Sequence, residues 1–274
     1  MGKIKTTGNV TFIGCGAMGE AILKGILNAK MAGKREISAG LPTASRRDYL
    51  TKQYGIKTFS DNTAAVANAD FVILAIKPQM IATVITPALV AAIPEKAAII
   101  SIMGSIDIAK LHELIPNRPI IRVMPNTPLA VGAGMTALAA DKKTTKGTLE
   151  IVKEIFASCG EIVVVDESAM EAITAISGCG PGYCFVLIDA LADAGVRAGL
   201  PRSMAIQLAA QTFAGSGKMA LETGIHPAQL RDQVTSPGGT TIAGIYALEA
   251  RGVRAAMYEA VQAVLDRSAQ LKGK

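Results

Sequence analysis

"GCGAMG", residues 14–19, decides how the rest of the chain is read. It follows a short apolar run, NVTFIG (9–14), and leads into EAILKGILNAK (20–30), whose apolar residues recur at helical spacing. A glycine turn carrying a strand into a helix is the context in which G-x-G-x-x-G binds a dinucleotide. Gly14 permits the tight turn, Gly16 lets backbone approach a pyrophosphate, and Gly19 lets the helix pack closely. The helix start at Ala17 and Met18 supplies N–H donors and a partial positive charge.

The same alternation continues outward. REISAG (35–40), DFVILAIKP (70–78), KAAIISI (96–102) and PIIRVMP (119–125) read as strands. SRRDYLTKQYG (45–55), QMIATVITPALVAAI (79–93) and IAKLHELI (108–115) read as the helices between them. GMTALAA (134–140) and EIVVVD (161–166) extend the sheet around a helix at 148–160. Strands and helices alternating in this way build a parallel sheet covered on both faces. Beyond Asp166 the pattern is helical only, at 185–200, 202–221, 241–252 and 254–271. The expected fold is an α/β Rossmann-type N-terminal domain over 1–166 and an all-α C-terminal domain over 167–274. The C-terminal helices are rich in alanine and have more apolar face than one subunit can bury, which predicts an oligomer.

Composition removes several classes of function. A net charge of +6 is spread along the 274 residues without a basic tract, and aromatic residues make up 4%, which argues against nucleic-acid binding and suits a small anionic ligand. The 4 cysteines form no CxxC pair and the 2 histidines lie far apart, so no metal site is expected. Unpaired cysteines fit a reducing cytoplasm. No uninterrupted apolar run reaches the roughly 18 residues of a membrane span. The start, MGKIKTTGNVTFIG, is broken by glycine too early for a signal peptide.

The kind of dinucleotide is read at the end of the second strand. An NAD site places an acid there to hold the ribose 2′-hydroxyl. This chain has Ser38, Thr43, Ser45, Arg46 and Arg47 and no acid, which favours NADPH over NADH because guanidinium groups pair with a 2′-phosphate. Either arginine alone reads equally as part of a solvated first helical turn. "AIKP" (75–78) ends a strand, where ligands of open α/β sheets bind. There Ala75 is small enough for a ring to pass, Pro78 stops the strand, and Lys77 either holds cofactor phosphates or is a solvated loop lysine. Asn126 of "MPNTP" (124–128) offers a donor and an acceptor on the same side of the sheet. "TSPGGTT" (235–241) precedes a helix pattern. From its residues it is both an inter-helix turn with a hydroxyl cap and a bare anion site.

Three further stretches join these motifs: SGCGPGYCF (177–185), DALADAGVRAGLPR (189–202) and DQVTSPGGTTIAGIYALEARGVRAA (232–256). With them the chain resembles the pyrroline-5-carboxylate reductases over nearly its whole length. The resemblance implies a Rossmann domain, a helical dimerisation domain, and dimers that assemble further into rings. It implies hydride transfer from NAD(P)H to the C=N carbon of 1-pyrroline-5-carboxylate, giving L-proline. Thr241 would then contact the ring nitrogen, with Ser236, Gly239 and Thr240 around the carboxylate and Val234 lining the ring. In the family this loop serves a substrate beside the partner subunit, and Asn62 matches an asparagine near the adenosine ribose. The chain departs from the family at Cys179 and Gly182, where SGSGPAY is usual, and at Met103, whose bulk bears on the nicotinamide pocket. It also resembles the two-domain plan of 3-hydroxyacid dehydrogenases, but EAITAISGCGPGY (171–183) lacks their lysine base. His226 reads as loop, His112 as solvated helix face, Asp189 and Asp193 as polar helix face, and Cys179 and Cys184 as small buried hydrophobes.

Overall fold

The computed structural model describes residues 8–272; the basic start at 1–7 lies outside them. The chain divides into two compact units, one running to Gly178 and rejoined by residues from Arg267, the other Cys179–Asp266.

The first unit is built on one eight-stranded sheet. In chain order its elements are β1 (Val10–Ile13), α1 (Ala17–Asn28), β2 (Ile37–Gly40), α2 (Ala44–Tyr54), β3 (Lys57–Phe59), α3 (Asn62–Val66) and β4 (Phe71–Leu74). There follow α4 (Ile81–Val84), α5 (Pro87–Ala92), β5 (Ala98–Ser101), α6 (Ile108–Leu114), β6 (Ile120–Met124), β7 (Gly134–Ala140), α7 (Lys146–Ala157) and β8 (Gly160–Val164). The strand order is β3-β2-β1-β4-β5-β6-β7-β8. The first six strands of that row are parallel, β7 runs antiparallel to β6, and β8 is parallel to β7. This is the doubly wound order of a Rossmann sheet, extended at one edge.

Strand periodicity divides the core. Val10, Phe12, Phe71 and Ile73 pack with Ile22, Leu23, Ile26, Val152 and Phe156 on one face. Ile13, Val72 and Leu74 pack with Val66, Leu89, Ile93 and Leu111 on the other. Both faces of β1, β4, β5 and β6 are therefore buried, and those strands are apolar almost throughout. The exception in β1 is Thr11, whose hydroxyl shares a 2.7 Å hydrogen bond with Ser38 and donates to the Ala65 carbonyl at 3.1 Å. Ser38, one of the hydroxyls read near the cofactor, is thus occupied inside the sheet.

Two readings of the sequence need correction, and two short elements escape it. The helix expected over 79–93 is broken into a 3-10 turn at Pro78–Met80, α4 and α5. Pro87 cannot continue a helix that precedes it, and Thr86 instead caps α5 by accepting from the Leu89 N–H at 3.2 Å. The strand expected over 70–78 ends at Leu74. β3 and α3, of 3 and 5 residues, are too short for periodicity to show.

After β8 the chain passes through a 3-10 turn (Glu167–Ala169), α8 (Met170–Ile173) and a π turn (Thr174–Gly178). β6 is tied to this segment by Arg122, which is 1% exposed. Its Nη2 donates to Glu171 at 3.1 Å, and its Nη1 lies 3.6 Å from Glu167 Oε1, which also accepts from the Ile108 N–H at 2.6 Å.

The second unit is helical: α9 (Gly180–Arg197), α10 (Arg202–Thr223), α11 (Pro227–Gln233), α12 (Thr240–Ala250) and α13 (Val253–Lys272), the last residues of α13 belonging to the first unit. α9 packs on α10 through Ala192, Ala205 and Ala209, its only fully buried cluster among the described residues. Phe185, Val186, Leu221, Tyr246 and Tyr258 are all more than 60% exposed, as the surplus of apolar face predicts. Cys184 is exposed and Cys179 half-buried, so neither is the buried hydrophobe expected. The helical stretch Glu167–Arg197 is long and apolar enough to cross a membrane by length and composition, with 11% of its most apolar window buried.

Removing Arg122 takes its guanidinium away from both Glu167 and Glu171. Arg122→Met is expected to cost about 2–3 kcal/mol, below the full cost for a buried pair because both acids reach water. It is read as a lowered midpoint of thermal unfolding, and an unchanged midpoint would show that the network carries no stability.

Candidate active site

At the carboxyl ends of β1, β2 and β4 lies a cleft of about 360 Å³, lined among others by Gly14, Gly16, Asn62, Ala75 and Lys77. Gly14 has φ +75°, and a Cβ there would lie 2.8 Å from the Ala75 carbonyl oxygen, so only glycine lets the chain leave β1 beside β4. A Cβ on Gly16 would meet nothing within 4 Å; the space above it is open. Gly16 caps α1 without any side-chain hydrogen bond, leaving the first N–H groups, those of Ala17 and Met18, bare. At Gly19 a Cβ would press on Ala75 Cβ at 3.3 Å, the close packing expected of the third glycine. Cys15, inside the motif, is a neutral thiol: burial pushes its pKa up to about 12.

In the helical unit, TSPGGTT forms a turn and then a helix start. The Gly239 N–H donates to the Ser236 carbonyl at 3.0 Å, and Gly238 takes φ +67°. A side chain at Gly239 would collide with Ser236 Oγ. Gly239 caps α12 with no side-chain hydrogen bond, so this helix start is also bare. Val234, Ser236, Thr240 and Thr241 are exposed around it. Thr235 is not available, because its hydroxyl is bound to the Asp232 carbonyl at 3.0 Å.

Comparison with known proteins bears on both places. Residues 167–271 match a family model described as pyrroline-5-carboxylate reductase dimerisation, and residues 9–105 match one described as NADP oxidoreductase, coenzyme F420-dependent. A pyrroline-5-carboxylate reductase of Synechocystis is 45% identical over 96% of this chain and 97% of its own. The chain belongs to the pyrroline-5-carboxylate reductase family. Solved structures of family members agree. The Plasmodium falciparum enzyme, with NADP bound, has TM-score 0.87 at 33% identity over 98% of this chain and 99% of its own. The enzyme from Coxiella burnetii has TM-score 0.90 at 34% identity over 97% and 98%.

The residues of this reductase fit a dinucleotide. Asn62 Oδ1 is buried with no hydrogen-bond partner in the cleft, and a Cβ on Gly40 would collide with it. An orphaned acceptor of this kind needs a donor, and a ribose hydroxyl is one. Ala75 leaves the floor of the cleft low, Lys77 is exposed at its edge, and Pro78 opens the 3-10 turn that walls it.

Other predicted residues have different company. Asn126 spends its amide on the protein, with Oδ1 accepting from the Met135 N–H at 2.9 Å and Nδ2 donating to the Ser177 carbonyl at 3.0 Å. Arg47 donates to the carbonyls of Leu41 and Pro42 at 2.7 Å each, shaping the loop ahead of α2. Arg46 donates to the Cys15 carbonyl at 3.0 Å and pairs with Glu20. Ser45 is exposed beside it, and Thr43 caps α2 without a side-chain hydrogen bond. Met103 is 1% exposed in the core, so its bulk is absorbed there. His112 is paired with Asp141 at 2.9 Å rather than simply solvated, and His226 caps α11 by accepting from the Ala228 N–H at 3.2 Å. Asp193 pairs with Arg202. Glu20, the partner of Arg46, was not foreseen, although its place one residue after the third glycine puts it in the first turn of α1.

The two glycines separate folding from binding. Gly16→Ala is expected to keep the wild-type melting temperature and weaken dinucleotide binding, because the protein leaves room for the methyl and the ligand does not. Gly14→Ala is expected to lower the melting temperature as well. Thermal melts beside a titration of reduced-cofactor fluorescence check both.

Proposed function

We propose that this chain reduces 1-pyrroline-5-carboxylate to L-proline with NAD(P)H, the last step of proline biosynthesis, and that residues 14–126 supply the cofactor site and 234–241 the substrate site. The observation that carries the assignment is a pair of long helices, α1 and α12, of 12 and 11 residues, each beginning on a glycine without a side-chain cap. Bare helix starts bind anions, and the reaction has two to hold: a pyrophosphate and a carboxylate.

When bound, the nicotinamide supplies the hydride for the C=N carbon. The chain's residues orient and polarise. The N–H groups after Gly16 hold the pyrophosphate, Asn62 accepts from the adenosine ribose, and Ala75, Lys77 and Pro78 border the cleft. Asn126 acts by fixing the MPNTP loop. Arg46, with Ser45 beside it, reads the 2′-phosphate, giving a preference for NADPH over NADH. At α12 the N–H groups of Thr240 and Thr241, with the Ser236 hydroxyl and the room made by Gly239, take the carboxylate. Val234 covers the apolar side of the ring. The Thr241 hydroxyl hydrogen-bonds the ring nitrogen, making Thr241 the catalytic residue of this reading.

Residues 1–166 form the nucleotide-binding domain and 167–274 the dimerisation and substrate-binding domain. The family match beginning at residue 167 supports that division. The chain acts as a homodimer, which the exposed apolar faces of α9, α10 and α12 favour. Rings of dimers, a cytoplasmic location, and the absence of membrane or nucleic-acid partners belong to the same proposal.

Purified protein mixed with NADPH and pyrroline-5-carboxylate should consume the reduced cofactor; binding of NADPH without consumption would overturn the assignment. Thr241→Ala should leave the KM for NADPH unchanged and lower kcat by roughly ten- to a hundredfold, the worth of one hydrogen bond to the reacting nitrogen at about 1–3 kcal/mol. Unchanged steady-state kinetics would remove Thr241 from the mechanism.

A further inference from the structure

The first turn of α1 meets α2, from Arg46 near its start to Tyr54 at its end, in a cluster that the reaction as described does not use. Glu20 Oε1 accepts from the Tyr54 hydroxyl at 2.7 Å and from the Tyr49 hydroxyl at 2.9 Å, and Glu20 Oε2 accepts from Arg46 Nη2. Arg46 Nε donates to the Cys15 carbonyl at 3.0 Å, and the guanidinium lies over the Tyr49 ring, 5.0 Å from its centre. Two of the five guanidinium N–H donors, the one on Nε and one on Nη2, are thus committed to the protein, and a ligand that takes Nη2 must displace or share it with Glu20. Partial burial pushes the Glu20 carboxyl up, but the hydrogen bonds from Tyr54, Arg46 and Tyr49 outweigh it and hold the carboxyl below its ordinary range. Glu20 therefore neutralises Arg46 before any phosphate arrives.

We propose that Glu20 is a positioning residue that moderates the preference for NADPH by competing with the 2′-phosphate for Arg46. The inference rests on Arg46 reading that phosphate. A 2′-phosphate gains only the difference between its own pairing with the guanidinium and the pairing Arg46 gives up. The two tyrosines fix the carboxylate, so it cannot follow the arginine toward the ligand. NADH carries a hydroxyl at that position and makes no such demand, so Glu20 weakens NADPH binding selectively. Gln at position 20 would still accept from both phenols through its amide oxygen. Its NH₂ group would then face Arg46 Nη2, donor against donor, and release the guanidinium with its charge unopposed.

The experiment measures kcat and KM with NADPH and with NADH for the wild type, Glu20→Gln, Arg46→Leu and the double variant. Glu20→Gln is expected to lower the KM for NADPH by about three- to tenfold, the effect of removing one partly screened charge. The KM for NADH and both kcat values should stay near wild type, and the gain should vanish in the Arg46→Leu background. A loss of NADPH preference, an equal change for both coenzymes, or a gain that persists without Arg46 overturns the proposal. If Arg46→Leu leaves the coenzyme ratio unchanged, the phosphate reading of Arg46 fails, and the proposal fails with it. If Arg46→Leu lowers the ratio and Glu20→Gln does not raise it, only the role of Glu20 fails. Should Glu20→Gln fold poorly, Glu20→Asp withdraws the carboxylate by one methylene and should shift the ratio the same way, by less; a shift in the opposite direction overturns the proposal.

Discussion

Everything in the nucleotide-binding half depends on backbone meeting backbone where β1 leaves the sheet. The Ile13 carbonyl accepts from the Ala75 N–H at 2.9 Å, and the Gly14 N–H reaches the Gly40 carbonyl at 3.0 Å. The chain is thus held between β2 and β4 at the point where it must turn upward into α1. A side chain at Gly14 would strike the Ala75 carbonyl, one at Gly40 would strike Asn62, and one at Gly19 would crowd Ala75. Three missing Cβ atoms allow one close approach, and the close approach leaves a cleft with bare N–H groups at its rim. The site and the packing of the fold share one cause.

That cause was legible in the sequence because it is chemical and local. Glycines at 14, 16 and 19 between a strand pattern and a helix pattern leave few other readings. The parallel sheet covered on both faces followed from alternation, and β1, β4, β5 and β6 are indeed apolar almost throughout. What stayed hidden depends on partners far away in sequence. Asn126 carries a donor and an acceptor, and nothing local reveals that Met135 and Ser177 take them. Met103 looks like an obstruction until its pocket in the core is seen. Arg46 looks like a free cation until Glu20, 26 residues earlier, is found on its guanidinium. The broken helix at 79–93 is of a different kind: Pro87 is visible in the sequence and forbids the continuous helix that the apolar spacing around it suggests.

The helical half obeys another constraint. Its helices are long, yet the fully buried residues among them, as far as the chain is described, are three alanines. Burying an alanine contributes little of the hydrophobic stabilisation that a leucine or phenylalanine side chain provides. Meanwhile Phe185, Leu221, Tyr246 and Tyr258 stay in water in the single chain. Folding such a unit alone would spend conformational entropy without the return of a core. A family dimerisation domain that begins at residue 167 accounts for this imbalance, because the missing core is supplied by a second chain.

The start of α12 carries no acid, base or metal-binding group between Val234 and Thr241, and the reaction proposed for it requires none. A C=N bond accepts hydride when its nitrogen bears positive charge or a hydrogen bond. A threonine hydroxyl can do either job: it donates to a neutral imine and accepts from a protonated one. Such a group does not titrate in the working range and gives up no proton, so the form that takes the hydride is the protonated imine, whose N–H becomes the N–H of the amine. An aspartate in that place would bind the protonated imine more tightly in the ground state and gain nothing as the nitrogen loses its charge on reduction. Rate then comes from alignment, and alignment is what an uncapped helix start and a turn of two glycines supply. The plain residues of the loop are therefore suited to a chemistry in which the difficult electrons belong to the cofactor and the protein's task is to hold two anions in place.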